Sequence, residues 1–210
     1  MKPTKEYNGR SRIRMYLGDC IDLMKSKPEN YWQLSIVDPP YGIGISSNSF
    51  RQKHTKSNWD DVIPNKDYFE SLNSVSENQI IWGGNYFNLP PSQGFIIWDK
   101  KQPQDFSSAM CEYAWMSFQS PAKIYSKWVV SNGDGKKIHP TQKPTSLYRY
   151  ILKNYAKEGD TILDTHGGSM SIAIACWDLG FDLDICELDT DYFNDAVKRF
   201  ENHISQTQLF

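Results

Sequence analysis

The sequence predicts an α/β fold: a mixed, mostly parallel sheet with helices on both faces and an antiparallel element. Three observations carry that prediction. Short apolar runs rich in branched residues alternate with helix-period segments in both halves of the chain, as parallel sheets require. Two of those runs stop abruptly at an acid followed by turn residues: LSIVDPPYGIG over residues 34–44 and TILDTHGGSMS over 161–171. Between them, residues 95–130 hold closely spaced strand-like runs with no helical pattern, which places the antiparallel element there.

Taken in order, residues 12–17 alternate loosely and read as a strand, stopped by Gly18-Asp19. Asp19 is placed to cap a short helix carrying Ile21, Leu23 and Met24. Residues 34–37 form the next strand. Residues 45–65 are polar, lack periodicity and carry Arg51, Lys53, His54 and Lys56 within six positions. A loop of this length is usually functional or disordered, and its place directly after an acidic corner suggests a basic flap that meets phosphates. Residues 66–76 read as a helix, with Tyr68, Phe69 and Leu72 on one face. Strands are expected at 79–82, 95–98, 112–118 and 124–130, and a turn-rich break at 131–135. HPTQKP, residues 139–144, leads into a helix through Tyr155. A strand at 161–163, a glycine turn, a helix through Leu179, a strand at 183–186 and a helix capped by Asp189 complete the chain.

Composition bounds the function. With 210 residues, 39% hydrophobic and 23% charged, the chain suits one globular domain with a real core. It has no apolar run long enough for a membrane span, and its N-terminus lacks the apolar region of a signal peptide, so a cytoplasmic location is expected. Four scattered cysteines without a CxxC pair, and four scattered histidines, point to buried thiols rather than a zinc or disulfide framework. A net charge of −2 means that any nucleic-acid surface must be a local basic one.

Two corners carry the chemistry. At residues 38–41, two prolines forbid both ladder pairing and helix continuation, so Asp38, a rigid turn and the Tyr41 ring are presented together past the end of a core strand. In open α/β sheets that edge is where ligands bind. At residues 161–187, a strand, a glycine turn, a helix and a second strand ending at Glu187 make the unit a nucleoside cofactor needs. Turn glycines admit the ligand to backbone N–H groups, and the acid takes ribose hydroxyls.

With DPPY, HPTQKP and a C-terminal cofactor half all present, the sequence resembles the DNA amino-methyltransferases that use S-adenosylmethionine. Gly18-Asp19-Cys20, then residues 38–41, 139–144 and 164–171, reproduce the permuted order in which the catalytic half precedes the cofactor half. The resemblance covers nearly the whole chain. It implies a Rossmann-like methyltransferase fold in a single domain over 1–210. Residues 1–118 would be the catalytic half, 119–138 a short target-recognition segment and 139–210 the cofactor half.

The resemblance assigns Asp38, Pro39, Pro40 and Tyr41 to catalysis. Asp38 and the Pro39 carbonyl would accept the two N–H groups of an exocyclic amine, and an extruded base would stack on Tyr41. Asp19, His139, Thr141, Gln142, Lys143, Asp164, His166, Gly167, Gly168, Ser169 and Glu187 would hold the cofactor, with Lys143 pairing with its carboxylate. Arg51, Lys53, His54 and Lys56 would meet DNA. Expected partners are DNA and, left open, a second copy of the chain or a cognate restriction enzyme or separate specificity subunit.

Asp38 opening the tetrapeptide tilts the reading to adenine N6 over cytosine N4. The glycine motif departs from the family pattern: His166 stands where Phe is usual and Met170 where a second Gly is usual. A non-catalytic nucleic-acid-binding relative is the alternative that departure favours.

Overall fold

The computed structural model describes residues 1–43, 63–103, 105, 109–128 and 137–207. Among the described residues, nine strands form one sheet. They are β1 (Lys5–Asn8), β2 (Arg12–Leu17), β3 (Trp32–Val37), β4 (Ser76–Trp82), β5 (Phe95–Asp99), β6 (Cys111–Met116), β7 (Lys123–Ser126), β8 (Thr161–Asp164) and β9 (Asp182–Glu187). The helices are α1 (Cys20–Lys25), α2 (Lys66–Val75), α3 (Thr145–Tyr155), α4 (Ser171–Leu179) and α5 (Thr190–Thr207).

The sheet order is β1-β2-β9-β8-β3-β4-β6-β5-β7. Strands β2, β9, β8, β3 and β4 are parallel. Strand β6 is antiparallel to both β4 and β5, so the antiparallel element lies where the sequence places it. Two features differ from expectation. β1 pairs antiparallel with β2, although KEYN has no apolar alternation to announce a strand; the open edge of β2 recruits it. β7 ends at Ser126 and lies parallel to β5.

Neighbouring residues of each central strand serve opposite cores, as a period of two demands. Met15, Ile36, Ile80, Ile162 and Ile185 pack with α3, α4 and α5. Their successors Tyr16, Val37, Ile81, Leu163 and Cys186 pack with α1 and α2. Burial on both faces explains why these strands read as unbroken apolar runs.

From β3 the chain moves on to β4 on one side, whereas from β8 it moves to β9 on the other. The order therefore reverses between β3 and β8, and the crevice outside their carboxyl ends is the ligand position of such sheets. Asp38 follows β3 there, and the 165–169 turn follows β8.

Candidate active site

A cavity of about 220 Å³ occupies that crevice. Four of the five parallel strands contribute to it: Gly18, Asp19 and Cys20 after β2, Asp38 and Pro40 after β3, Thr165–Ser169 after β8, and Glu187 and Leu188 at the end of β9. His139, Thr141, Gln142 and Lys143 close one side with Tyr148 and Tyr192.

At the glycine turn, the Glu187 carboxylate is oriented by two backbone donors. Gly168 N–H donates to Oε2 at 2.6 Å and Asp189 N–H to Oε1 at 2.8 Å. Gly167 N–H donates to the Cys186 carbonyl at 2.7 Å, tying the turn to the end of β9. Gly168 has φ +50, and a Cβ there would sit 3.5 Å from the His139 ring. The turn ends at Met170, which precedes α4 in the left-handed region at φ 51, ψ 35, with its side chain fully buried. Arg199 of α5 braces the turn by donating to the Ser169 carbonyl at 2.8 Å and Ser171 Oγ at 3.0 Å, and reaches Thr145 Oγ1 of α3 at 3.3 Å.

The Asp38 carboxylate is engaged on both oxygens. Tyr41 Oη donates to Oδ1 at 2.5 Å, and Lys143 Nζ donates to Oδ2 at 2.5 Å. Burial pushes the Asp38 pKa above the usual carboxylate range; Lys143 opposes that rise and Glu112 reinforces it. Lys143 is held in its charged form, because Asp38 and Glu112 outweigh the burial that would lower its pKa. The Tyr41 ring stacks on Tyr86 at 4.9 Å and 11° and is backed by Gly83.

Two neutral imidazoles line part of the wall. Burial drives His139 down to about 3 and His166 down to about 4, so both imidazoles are neutral near pH 7. His139 Nδ1 pairs with Thr141 Oγ1 at 3.0 Å, and Tyr192 packs edge-on against its ring. Burial raises Asp164 to about 8 even though it accepts from His166 N–H, so this acid is protonated at neutral pH.

Residues 81–198, more than half of the chain, match the model of the N6/N4 methylase family, described as DNA methylase. The chain belongs to this DNA methylase family. It is 25% identical over 225 residues to the type II methyltransferase M2.MboI of Moraxella bovis, covering 83% of this chain and 82% of that one. It is 26% identical over 252 residues to the type II methyltransferase M2.DpnII of Streptococcus pneumoniae, covering 94% and 93%. Its fold is similar to that of the PvuII cytosine-N4-specific DNA methyltransferase, with TM-score 0.61 at 15% identity over 97% of this chain and 92% of that one. M1.HpyAVI in its complex with SAM gives TM-score 0.58 at 19% identity over 89% and 98%. The structure is therefore a Rossmann-like methyltransferase fold.

Within this family member, the structure brings most of the expected residues to one wall. Asp19, Asp38, Pro40, His139, Thr141, Gln142, Lys143, His166, Gly167, Gly168, Ser169 and Glu187 all line the cavity. Asp19 also caps α1, its Oδ1 accepting from Ile21 N–H at 2.8 Å, so capping and lining are one placement.

Three expectations change. Asp164 is not on the cavity wall: it is 2% exposed and lies beneath the turn, where it shapes the backbone at His166. Lys143 is at the wall, but its ammonium is committed to Asp38 and Glu112 rather than free for a cofactor carboxylate. Tyr41 is not among the residues that line the cavity, and one face of its ring stacks on Tyr86. Pro39 is buried behind the corner. Arg51, Lys53, His54 and Lys56 lie outside the described residues.

Sequence reasoning passed over Tyr148, Leu188, Tyr192 and Glu112. The first three are apolar-face or loop residues whose role depends on how helices pack. Glu112 did carry a signal: an acid inside the strand run CEYAWM that heads into the core.

Proposed function

We propose that the protein is a site-specific DNA adenine-N6 methyltransferase that uses S-adenosylmethionine. The observation that carries the reading is one cavity lined by both Asp38 and a glycine turn with an oriented Glu187. A nucleoside cofactor fits that donor set: Glu187 would take ribose hydroxyls, the 167–169 turn would hold the amino-acid portion, and Asp19 would meet the adenine edge. S-Adenosylmethionine, when bound, supplies a methyl group on a sulfonium centre.

The chain's own residues then act on the substrate amine. Its lone pair is delocalised into the base, so the amine must be drawn toward tetrahedral geometry. Asp38 accepts one N–H and the Pro39 carbonyl accepts the other, both held in place beforehand by the two prolines. An extruded base stacks against the Tyr41 ring once Tyr86 yields its position. The intact corner favours an enzyme over a non-catalytic relative.

Adenine is favoured over cytosine because Asp, rather than Ser, opens the tetrapeptide. The similarity to type II methyltransferases supports a cognate restriction enzyme as partner, and a homodimer or a separate specificity subunit is the accompanying assembly to test. Incubating methyl-free DNA with the enzyme and cofactor, followed by mass spectrometry of the nucleosides, tests the reading. N6-methyladenine is the expected product; N4-methylcytosine would move the enzyme to the other branch, and no methylated nucleoside would overturn the assignment.

A further inference from the structure

Asp38 is the first member of a line of alternating charges that runs from the cavity into the sheet. Lys143 Nζ lies 2.5 Å from Asp38 Oδ2 and 2.9 Å from Glu112 Oε2, and Lys100 Nζ lies 2.6 Å from Glu112 Oε1. The Lys143 side chain is 2% exposed, and its ammonium sits 5.1 Å from the centroid of the Trp82 ring. Topology explains how an acid from a distant strand arrives here. Strand β6 runs antiparallel to β4, with Ala114 opposite Trp82, so the beginning of β6 lies at the carboxyl edge where β3 delivers Asp38.

Two acids and two lysines balance in charge, which permits the burial of Lys143 and the partial burial of the other three. Balance alone, however, does not require this order. Lys143 has three N–H donors, and anions hold it from two sides. Without Glu112 its one remaining anionic partner in this line is Asp38, and the ammonium would settle on that carboxylate alone.

We propose that Glu112 is a positioning residue for methyl transfer, anchoring the Lys143 ammonium so that Asp38 keeps a fixed edge toward the substrate amine. This rests on the reading of Asp38 as the acceptor of that amine. Lys143 occupies Oδ2, and the amine shares Oδ1 with the Tyr41 hydroxyl. Displacement of a reacting group by about 1 Å costs on the order of 100-fold in rate, so a slack ammonium is felt at the chemical step. The bland alternative is that Glu112 merely neutralises a buried lysine.

Single-turnover transfer from tritiated S-adenosylmethionine to methyl-free plasmid DNA separates the two. It is measured for the wild type, Glu112→Gln, Lys143→Gln and the double variant, with cofactor affinity followed by calorimetry. Glu112→Gln is expected to slow transfer by about 10- to 100-fold while cofactor affinity stays at the wild-type value. In the Lys143→Gln background, Glu112→Gln should cost nothing more, because its effect passes through Lys143. Should Glu112→Gln fail to fold, Glu112→Asp, which keeps the charge but retracts it, carries the same expectation of slower transfer at unchanged affinity.

Wild-type transfer in either folded Glu112 variant would overturn the proposal. So would losses that multiply in the double variant, or a loss confined to cofactor binding. A wild-type chain that transfers no methyl group would overturn the functional reading and this proposal with it. An active wild type beside an equally active Glu112→Gln overturns this proposal alone.

Discussion

Met170 holds a left-handed backbone conformation with a fully buried side chain, at the position where the family usually has glycine. Two effects oppose each other there. Left-handed backbone costs a non-glycine residue about 1–2 kcal/mol, whereas truncating a buried Met costs about 2–5 kcal/mol. Packing wins, so Met170→Gly should destabilise the protein. It should still be more stable than Met170→Ala, which loses the same packing and keeps the strain; the gap should be about 1 kcal/mol in denaturant unfolding. Gly83 makes the complementary case. Its φ is +68, and a Cβ there would lie 2.1 Å from Tyr41 Cε1. Gly83→Ala should therefore lower the melting temperature and displace the Tyr41 ring, with turnover falling more than stability alone explains.

At the scale of elements, α5 lines the cavity through Tyr192 and braces the glycine turn through Arg199, which holds the Ser169 carbonyl, Ser171 Oγ and Thr145 Oγ1. Arg199→Met should weaken cofactor binding in calorimetry, although the guanidinium works behind the turn. The two histidines of the cavity wall give the site a pH signature. Both have pKa values depressed from 6.5, to about 3 for His139 and about 4 for His166. Between those values and 6.5 the unfolded chain binds more protons, so this contribution is present above pH 6.5 and is lost on acidification. His166→Phe should flatten the fall in unfolding free energy between pH 6.5 and 4. Asp164 acts the other way: raised from 3.8 to about 8, it removes stability as pH rises across that interval.

Elements whose apolar pattern is local were legible in the sequence, including β2, β3, β4, β8, β9 and helices α1 to α5. β1 was not, because its polar residues become a strand only beside the open edge of β2.

Across the whole molecule, the reversal of strand order between β3 and β8 explains why the candidate site could be read so early. Acids and glycines that end core strands fall at one edge of the sheet, so their positions in sequence already place them together. Glu112 could not be placed that way, since its approach to Lys143 depends on the register of an antiparallel strand. The pairing of Lys143 with Glu112 was hidden for the same reason.

Net charge also sets a question at this scale, because a chain of net charge −2 must attract DNA through a local surface. Replacing Arg51, Lys53 and Lys56 by Ala should flatten the log–log salt dependence of DNA binding by up to about 2.7 units. Parallel lines for the parent and the triple variant would remove these residues from the phosphate contacts.

The central claim is that Asp38 acts on the amine while the glycine turn and Glu187 hold the cofactor. Asp38→Asn tests it most directly, because the amide keeps the side chain's shape while removing its charge. Single-turnover transfer to methyl-free DNA should fall to background in this variant, with S-adenosylmethionine affinity by calorimetry close to that of the wild type. Transfer at the wild-type rate would contradict the account.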